Sequence, residues 1–216
     1  MTDAALAPRS DRRSSQRRGA ATREDIDEAA VELFARLGYH ATSMRAIASA
    51  AGVQPAAIYH WYPSKEALLV HLQDDFMDRL TEKLEAAMAQ EDRPALKLSA
   101  AVREHVVFHG LHPREAFVTD SEIRALRPDA RRRLIARRDA YQDIFISATE
   151  AGVGDGSFRV ANPRIAMYST LLACTGVALW YDPDGSLKLE EVANLQVELV
   201  LSSLGADAEL IAEAMR

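Results

Sequence analysis

The segment of residues 38–63 leaves room for only two short helices, and this constrains the fold more than any other feature of the sequence. Thr42 or Ser43 can cap the first of them, and Gly52 ends it. Pro55 fits the first position of the second helix, where its missing N–H costs nothing. Helices of about eight residues are not stable alone in water. Longer neighbours must therefore hold both, and this arrangement is a helix-turn-helix.

Longer amphipathic helices are predicted on both sides of this pair. Thr22 to Asp25 has the pattern of a capping box, and Ser64 can cap the helix that follows the pair. Apolar residues at helical spacing come after each cap: Ile26, Ala30, Leu33, Phe34 and Leu37 in the first helix, and Leu68, Leu72, Phe76, Leu80 and Leu84 in the second. Each stripe can bury one face of its helix.

The rest of the chain is also predicted to be helical, with segments over residues 94–108, 113–123, 128–152, 163–180 and 189–204. We find no strand pattern and no internal repeat. The expected fold class is therefore all-α, with a three-helix helix-turn-helix domain over residues 21–72 and a larger helical domain over residues 73–216.

Residues 1–20 hold five arginines among polar residues and indicate a disordered basic arm. That arm is either a solubilising tail or a contact to the minor groove or to phosphates.

Composition and charge restrict the function classes. The net charge is −6, but the acidic excess lies after residue 70, so the N-terminal part can still dock on a phosphate backbone. Cys174 is the sole cysteine, which excludes an intrachain disulfide and a cysteine-based metal site. We expect a reducing, cytoplasmic location, since the N-terminal residues show no apolar leader. The uncharged residues 165–181 contain Ser, Thr and Gly, so we expect a buried helix and no membrane span.

The short helices divide into a core side and an outer side. The core side is predicted to comprise Ile47, Val53, Ile58 and Tyr62. The outer side presents Gln54, Ala56, Tyr59 and His60. These outer side chains are small or form hydrogen bonds, which suits contact with base edges or phosphates. Arg45 on the first short helix and Lys65 at the start of the supporting helix can meet phosphates.

The same segment resembles the tetracycline-repressor (TetR) family. The sequences GYHATSMRAIA over residues 38–48, AGV over 51–53, IYHWY over 58–62 and SKEALL over 64–69 follow the family's motif in register. The resemblance implies a dimeric regulator of transcription, commonly a repressor, that binds a palindromic operator in double-stranded DNA. It also implies DNA contacts from Thr42, Ser43, Arg45, Gln54, Ala56, Tyr59, His60 and Lys65.

Two positions depart from the family pattern. Gln54-Pro55 replaces the more usual Ser or Thr followed by a small residue, which can alter base preference. Trp61-Tyr62 replaces the commoner Tyr-Phe pair, and here we expect only a repacked core. Taken singly, Tyr59 and His60 could also be packing residues, but the complete ordered motif favours DNA contact.

The C-terminal half resembles, more loosely, a branch of the family that regulates fatty-acid and steroid breakdown. The likeness rests on WYDPDGSL over residues 180–187, EEV over 190–192 and EIRAL over 122–126. Some members of that branch respond to acyl-CoA, which implies a hydrophobic small-molecule effector. The candidate ligand-binding residues, all on the middle helices, are His105, Phe108, His109, Phe117, Tyr141 and Phe145. The arginines at positions 131–133, 137 and 138 either bind CoA phosphates or form a solvated helix face.

The last two long helices are the predicted homodimer interface. Residues 163–180 are apolar nearly all round and need partners on both sides. Paired with residues 189–204 across a two-fold axis, they would build a four-helix bundle.

Two rival functions stay open: a ligand-binding protein that has lost DNA readout, and a metalloenzyme using His105 and His109, which share one helix face. We predict no enzyme activity, no cofactor and no metal, since the sequence has no triad, nucleotide loop or HExxH motif.

Overall fold

The computed structural model describes residues 22–216, and the predicted basic arm of residues 1–20 lies outside these described residues. The described part is helical and contains no strand, so the all-α prediction is confirmed. Its α-helices are α1 (Arg23–Leu37), α2 (Met44–Ala50), α3 (Pro55–Trp61), α4 (Lys65–Met88), α5 (Pro94–Leu111), α6 (Pro113–Ser121), α7 (Pro128–Gly154), α8 (Pro163–Thr175), α9 (Val177–Trp180), α10 (Leu189–Ser203) and α11 (Ala208–Ala214). A short 3-10 helix at Glu122–Ala125 joins α6 to the loop before α7.

Helices α1, α2 and α3 and the first turns of α4 share one small core. Thr22 caps α1 through a reciprocal capping box with Asp25, as its sequence pattern predicts. Ser43 and Ser64 cap α2 and α4 by accepting a backbone N–H of the first turn. The fully buried side chains of this core are Ile26, Phe34, Ile47, Ile58 and Leu68. Each contributes roughly 1.5–3 kcal/mol on burial, which is how two seven-residue helices are kept folded.

The turn between α2 and α3 depends on Gly52. Its φ is +71°, in the left-handed region that a side chain makes unfavourable. The N–H of Val53 then donates to the carbonyl oxygen of Ala48 over 2.9 Å and closes the end of α2. Pro55 begins α3, as expected of a residue with a fixed helical φ and no N–H. Local backbone geometry therefore sets the helix-turn-helix.

Helix α5 is the central helix of the larger part of the chain. It packs against α4, α7, α8 and α10, and buried residues lie on most of its sides. Gly110 allows a close approach to α10, because the Leu189 side chain occupies the place where a Cβ at position 110 would lie. The helices around α5 therefore enclose its middle turns and leave little of it exposed.

Several helix boundaries differ from the sequence prediction. Helix α5 continues to Leu111 and α7 to Gly154, while the helix predicted over residues 163–180 is interrupted at Gly176. The residues after Gly176 form the separate short helix α9. Helix α11 has no counterpart among the predicted helices, because seven residues with only Leu210 and Ala214 buried make too short a pattern.

The uncharged residues 165–181 are buried on one side only. Met167 and Cys174 face the core, whereas Leu172 and Leu179 are exposed. Within residues 22–216, none of the helices is both long and apolar enough to cross a membrane. One side of α8 therefore faces solvent in the single chain and can accept a partner.

Candidate functional site

The outer side of α3 is exposed along its length. The exposed residues are Gln54, Ala56, Tyr59 and His60. Tyr59 is 54% exposed, whereas Ile58 beside it is completely buried and anchors the helix. Ser43 and Arg45, at the start of the neighbouring α2, are exposed as well. The structure thus brings six of the predicted DNA-contacting side chains to the surface on a rigid pair of helices, which is the form that enters a major groove.

The other two predicted residues have partners inside the fold. Thr42 is 2% exposed, and its hydroxyl donates to the carbonyl oxygen of Gly38 over 2.9 Å. Lys65 Nζ donates to the carbonyl oxygens of Tyr39 (2.7 Å) and Thr42 (2.6 Å) and lies 4.3 Å from the centre of the Tyr39 ring. Burial lowers the pKa of Lys65. The DNA contacts of these two residues stay predictions: the Thr42 side chain is buried, and Lys65 organises the turn before α2.

A polar network fixes the end of α3. The hydroxyl of Tyr62 donates to Asp27 Oδ1 over 2.6 Å and accepts from Arg23 Nε over 2.9 Å. The Tyr62 ring stacks on His71 of α4, and His71 Nε2 lies 3.2 Å from Asp27 Oδ2. Burial raises the pKa of Asp27, and the hydrogen bond from Tyr62 opposes that rise. Tyr62 therefore does more than repack the core, because it connects α3 to both α1 and α4.

Acidic side chains connect the helix-turn-helix to the larger part of the chain. Glu122 Oε1, in the 3-10 helix, accepts the N–H of Tyr39 over 3.1 Å. Glu66, in the first turn of α4, accepts the N–H of Arg127 over 2.8 Å and also pairs with its guanidinium. The loop before α7 therefore contacts the same short stretch that positions α2 and α3.

A cavity of about 110 Å³ lies between α4, α5, α6, α7 and α8. Its apolar walls are Phe76, Met77, Leu80 and Leu171. Asp120 and Arg138, which form an ion pair at 2.9 Å and are partly exposed, also line it and mark its side towards solvent. A mostly apolar cavity with a few polar groups is the usual form of a small-molecule site.

The polar groups of the cavity come from α5, α7 and α8. His105 Nδ1 lies 2.8 Å from the hydroxyl of Tyr141, and His105 Nε2 lies 3.0 Å from that of Thr175. His109 Nδ1 lies 2.8 Å from the carbonyl oxygen of His105. Burial lowers the pKa of both histidines, so both are neutral near pH 7. Burial also raises the pKa of Tyr141, which keeps its phenol protonated. The cavity therefore offers hydrogen-bonding groups without a net charge.

The structure separates the candidate ligand-binding residues into three groups. His105, His109 and Tyr141 line the cavity. Phe108 and Phe145 are buried behind it, where Phe108 packs on Phe76 and Phe145 packs on His105 and Tyr141. Phe117 is exposed and lies outside the cavity, because α6 turns it towards solvent. Thr175 was not among the candidates, and Arg138 was considered only as a possible contact to CoA phosphates. The periodicity of α7, which places Arg138 one turn before Tyr141, could have indicated that Arg138 lines the cavity.

The arginine-rich start of α7 is largely a solvated face, but three of its members are paired, one of them Arg132 with Asp129. Arg137 forms ion pairs with Asp74 and Asp78 of α4, and Arg138 pairs with Asp120. Arg131 is exposed and lies two helical turns before Arg138, on the same side of α7. These positions leave Arg131 available to an anion near the open side of the cavity.

The histidines do not form a metal site with other residues of the described part. In residues 22–216 no group of three or more His, Cys, Asp or Glu side chains is arranged to hold an ion. Both nitrogens of His105 already face hydroxyl groups. Burial raises the pKa of the Cys174 thiol to about 12, so this cysteine is a protonated core residue.

Family models match two parts of the chain. The model described as bacterial regulatory proteins, tetR family, covers residues 26–72, which include α2 and α3. The model described as tetracyclin repressor-like, C-terminal domain, covers residues 91–204, which include most of the cavity. The chain belongs to the TetR family.

Similar proteins span nearly the whole chain. The HTH-type transcriptional repressor KstR2 of Rhodococcus jostii (strain RHA1) is 29% identical over 187 residues, which are 85% of this chain and 91% of that protein. The fatty acid metabolism regulator protein of Bacillus subtilis (strain 168) is 26% identical over 83% of this chain and 93% of its own length. The structure of AibR in complex with isovaleryl coenzyme A and operator DNA has a TM-score of 0.75 and 27% identity, and covers 82% of this chain and 96% of that one.

Proposed function

We propose that this TetR-family protein is a homodimeric transcriptional repressor that binds a palindromic operator through α3 and is released by an acyl-CoA thioester. The observation that carries the proposal is the exposed outer side of α3, held in place by Ile58 and by the Tyr62 network. Exposed Gln54, Tyr59 and His60 supply hydrogen-bonding groups, and Arg45 supplies a positive charge. Residues 21–72 would form the DNA-binding domain, and residues 73–216 the ligand-binding and dimerisation domain.

The dimer would form through α8 and α10. Leu172 on α8 is 78% exposed and Leu199 on α10 is 63% exposed, and Ile165 and Leu195 are exposed on the same two helices. The helices are neighbours, since Cys174 Sγ lies 3.9 Å from Gln196 Oε1. A contiguous apolar surface of this kind marks an interaction site. Two copies related by a two-fold axis would cover it as a four-helix bundle and would present two α3 helices to successive major grooves.

The effector would bind in the cavity beside α5. The apolar walls suit an acyl chain, and the exposed arginines of α7 suit the phosphates of CoA. AibR, whose fold this chain shares, was crystallised with isovaleryl coenzyme A and operator DNA. The cavity also touches α4 through Phe76, Met77 and Leu80, and α4 begins at the helix-turn-helix. A ligand that prefers one position of α4 would alter the spacing of the two α3 helices, and a coupling of roughly 1–3 kcal/mol would release the operator.

The experiment is a selection from random duplex DNA with the purified protein at one moderate salt concentration. The proposal predicts one enriched palindrome with half-sites about one or two helical turns apart. Tyr59→Ala should lose this enrichment and Arg45→Ala should weaken binding to all sequences, whereas Arg159→Ala, which removes an exposed arginine far along the chain, should change neither. A series of acyl-CoA thioesters is then added to the complex, and release of the operator is measured.

Two results would overturn parts of the proposal. Weak binding that depends on salt but enriches no sequence would show a protein with the fold and without DNA readout. An enriched operator that no thioester releases would leave the repressor and reject the effector class. The metalloenzyme alternative predicts metal bound in stoichiometric amount after purification and lost in His105→Ala.

A further inference from the structure

The proton on His109 can be placed by its hydrogen bond. Nδ1 of His109 lies 2.8 Å from the carbonyl oxygen of His105, which can only accept, so Nδ1 carries the proton. A neutral imidazole has one N–H, and Nε2 is therefore a bare acceptor. Burial lowers the pKa of His109 and favours this neutral form. The carbonyl oxygen one turn back along α5 thus fixes the tautomer.

Nε2 of His109 has no donor among residues 22–216. Nδ1 is the one atom of the His109 side chain that forms a hydrogen bond with the described residues. The residue is 4% exposed and lines the cavity. Among the described residues, Gln73 Oε1 is the one fully enclosed side-chain polar atom without a partner, so His109 Nε2 is open to the space of the cavity. A group that enters the cavity can therefore donate to this nitrogen.

Most other polar groups of the cavity are already engaged. Both nitrogens of His105 face Tyr141 and Thr175, and the carbonyl oxygen of Thr119 accepts from Arg138 over 2.6 Å. Asp120 and Gln142 also line the cavity, but both are at least partly exposed to solvent. His109 Nε2 is thus the most deeply buried acceptor that an incoming ligand can use.

The volume limits the size of the group that enters. The cavity holds about 110 Å³. An engineered protein cavity of roughly 150 Å³ accepts benzene, so this one has room for about four heavy atoms. A long saturated chain would not fit without movement of Phe76 or Leu171, whereas a short branched or substituted chain would.

We propose that His109 selects an effector whose short acyl chain carries a hydroxyl group, and that Nε2 of His109 accepts the hydrogen bond from this hydroxyl. This inference rests on the proposed binding of a CoA thioester in the cavity and specifies which thioesters the cavity prefers. A saturated acyl chain with no donor at this point leaves Nε2 unpaired and binds more weakly.

The first experiment tests the tautomer without any ligand. Nitrogen-15 NMR of histidine-labelled protein, with the His109 signals assigned from their absence in His109→Phe, should show the proton on Nδ1 and none on Nε2. A proton on Nε2 would overturn the inference.

The second experiment uses two thioesters that differ by one hydroxyl, butyryl-CoA and 3-hydroxybutyryl-CoA, and measures their affinity by calorimetry. The wild type should prefer the hydroxylated chain by about tenfold or more. His109→Phe should abolish that preference, His109→Gln should restore part of it, and His112→Phe, outside the cavity, should change nothing. Equal affinity of the two thioesters for the wild type, with both affinities lowered in His109→Phe, would mean that Nε2 accepts from the amide common to all CoA thioesters and would overturn the selectivity.

The outcomes separate this inference from the proposed function. Equal affinities that His109→Phe does not reduce would overturn the selectivity and leave a CoA-responsive repressor. Binding of neither thioester would overturn the inference together with the effector class. Operator binding of the same variants is measured in parallel without ligand. A loss of operator binding would count against the proposed repressor function and would not affect the selectivity for the hydroxylated chain.

Discussion

The hydroxyl of Tyr62 donates a 2.6 Å hydrogen bond to the carboxylate of Asp27, which lies 35 residues earlier in the chain. Tyr62 directly follows the last residue of α3, and Asp27 lies in the second turn of α1. This single contact therefore fixes the end of the helix that we propose as the DNA-reading helix. Arg23 and His71 complete the arrangement around the same two groups.

Tyr62→Phe should lower the free energy of unfolding by roughly 1–3 kcal/mol, because it leaves the partly buried Asp27 without its hydroxyl donor. The stack on His71 is retained in this variant, so the loss reports the hydroxyl. Urea unfolding of the wild type and the variant gives the difference. Tyr181→Phe is the control, since its hydroxyl has no hydrogen-bond partner among residues 22–216. Equal losses in the two variants would mean that the contact with Asp27 contributes nothing.

Arg45→Ala and Lys65→Met should have different effects, although both residues are positively charged and both were predicted to contact DNA. Arg45 is exposed, so Arg45→Ala should change stability by less than about 0.5 kcal/mol and should weaken operator binding with a smaller salt dependence. Lys65→Met should also weaken operator binding. Because it removes the donor to the carbonyl groups of Tyr39 and Thr42, it should in addition lower the free energy of unfolding by about 1–3 kcal/mol. Thermal unfolding and salt-dependent fluorescence anisotropy measure the two effects. A Lys65→Met protein of unchanged stability would contradict the structural role of Lys65.

The helix-turn-helix could be predicted because its signals are local. Glycine, proline and serine act on the backbone within a turn of their own position, so Ser43, Gly52 and Pro55 mark their helix ends in the sequence. The contact between Tyr62 and Asp27 is of another kind. It joins residues from two helices, and no spacing within either helix reveals the partner.

The cavity shows the same limit. His105 and His109 were predicted to share a face of α5 because they are four residues apart. The hydroxyl of Thr175, 70 residues further along the chain, completes the cluster only through the packing of α8 on α5. Phe117 shows that an aromatic residue type does not tell which way a short helix turns its side chain.

Leu172→Glu should convert the proposed dimer to a monomer. Leu172 is the most exposed apolar residue of α8, and a carboxylate there would have to be buried without a partner when two copies associate. Analytical ultracentrifugation measures the change in mass, and operator affinity should fall with it. Leu111→Glu is the matched control, since Leu111 is also exposed but lies at the end of α5. A dimeric Leu172→Glu protein would place the interface elsewhere.

Gly152→Ala should be destabilising by about 1–3 kcal/mol. A Cβ at position 152 would overlap the ring of Phe158, which is buried and cannot move away freely. Gly154→Ala, two residues later, meets nothing within 4 Å and should be neutral or slightly stabilising. The midpoints of urea unfolding compare the two variants directly, and similar midpoints would show that the end of α7 adjusts to the added methyl group.

Acid should destabilise the protein through His105 and His109. Burial lowers the pKa of both in the folded state, so between pH 6.5, the ordinary value, and their folded values only the unfolded chain binds these protons. Stability present above pH 6.5 is therefore lost as the pH falls, by up to about 1.4 kcal/mol per pH unit for each histidine. His105→Gln should reduce the slope of unfolding free energy against pH below pH 6.5, because one of the two buried histidines is then missing. The exposed His40→Gln control should keep the wild-type slope, and parallel plots for all three proteins would contradict the buried, neutral state of His105.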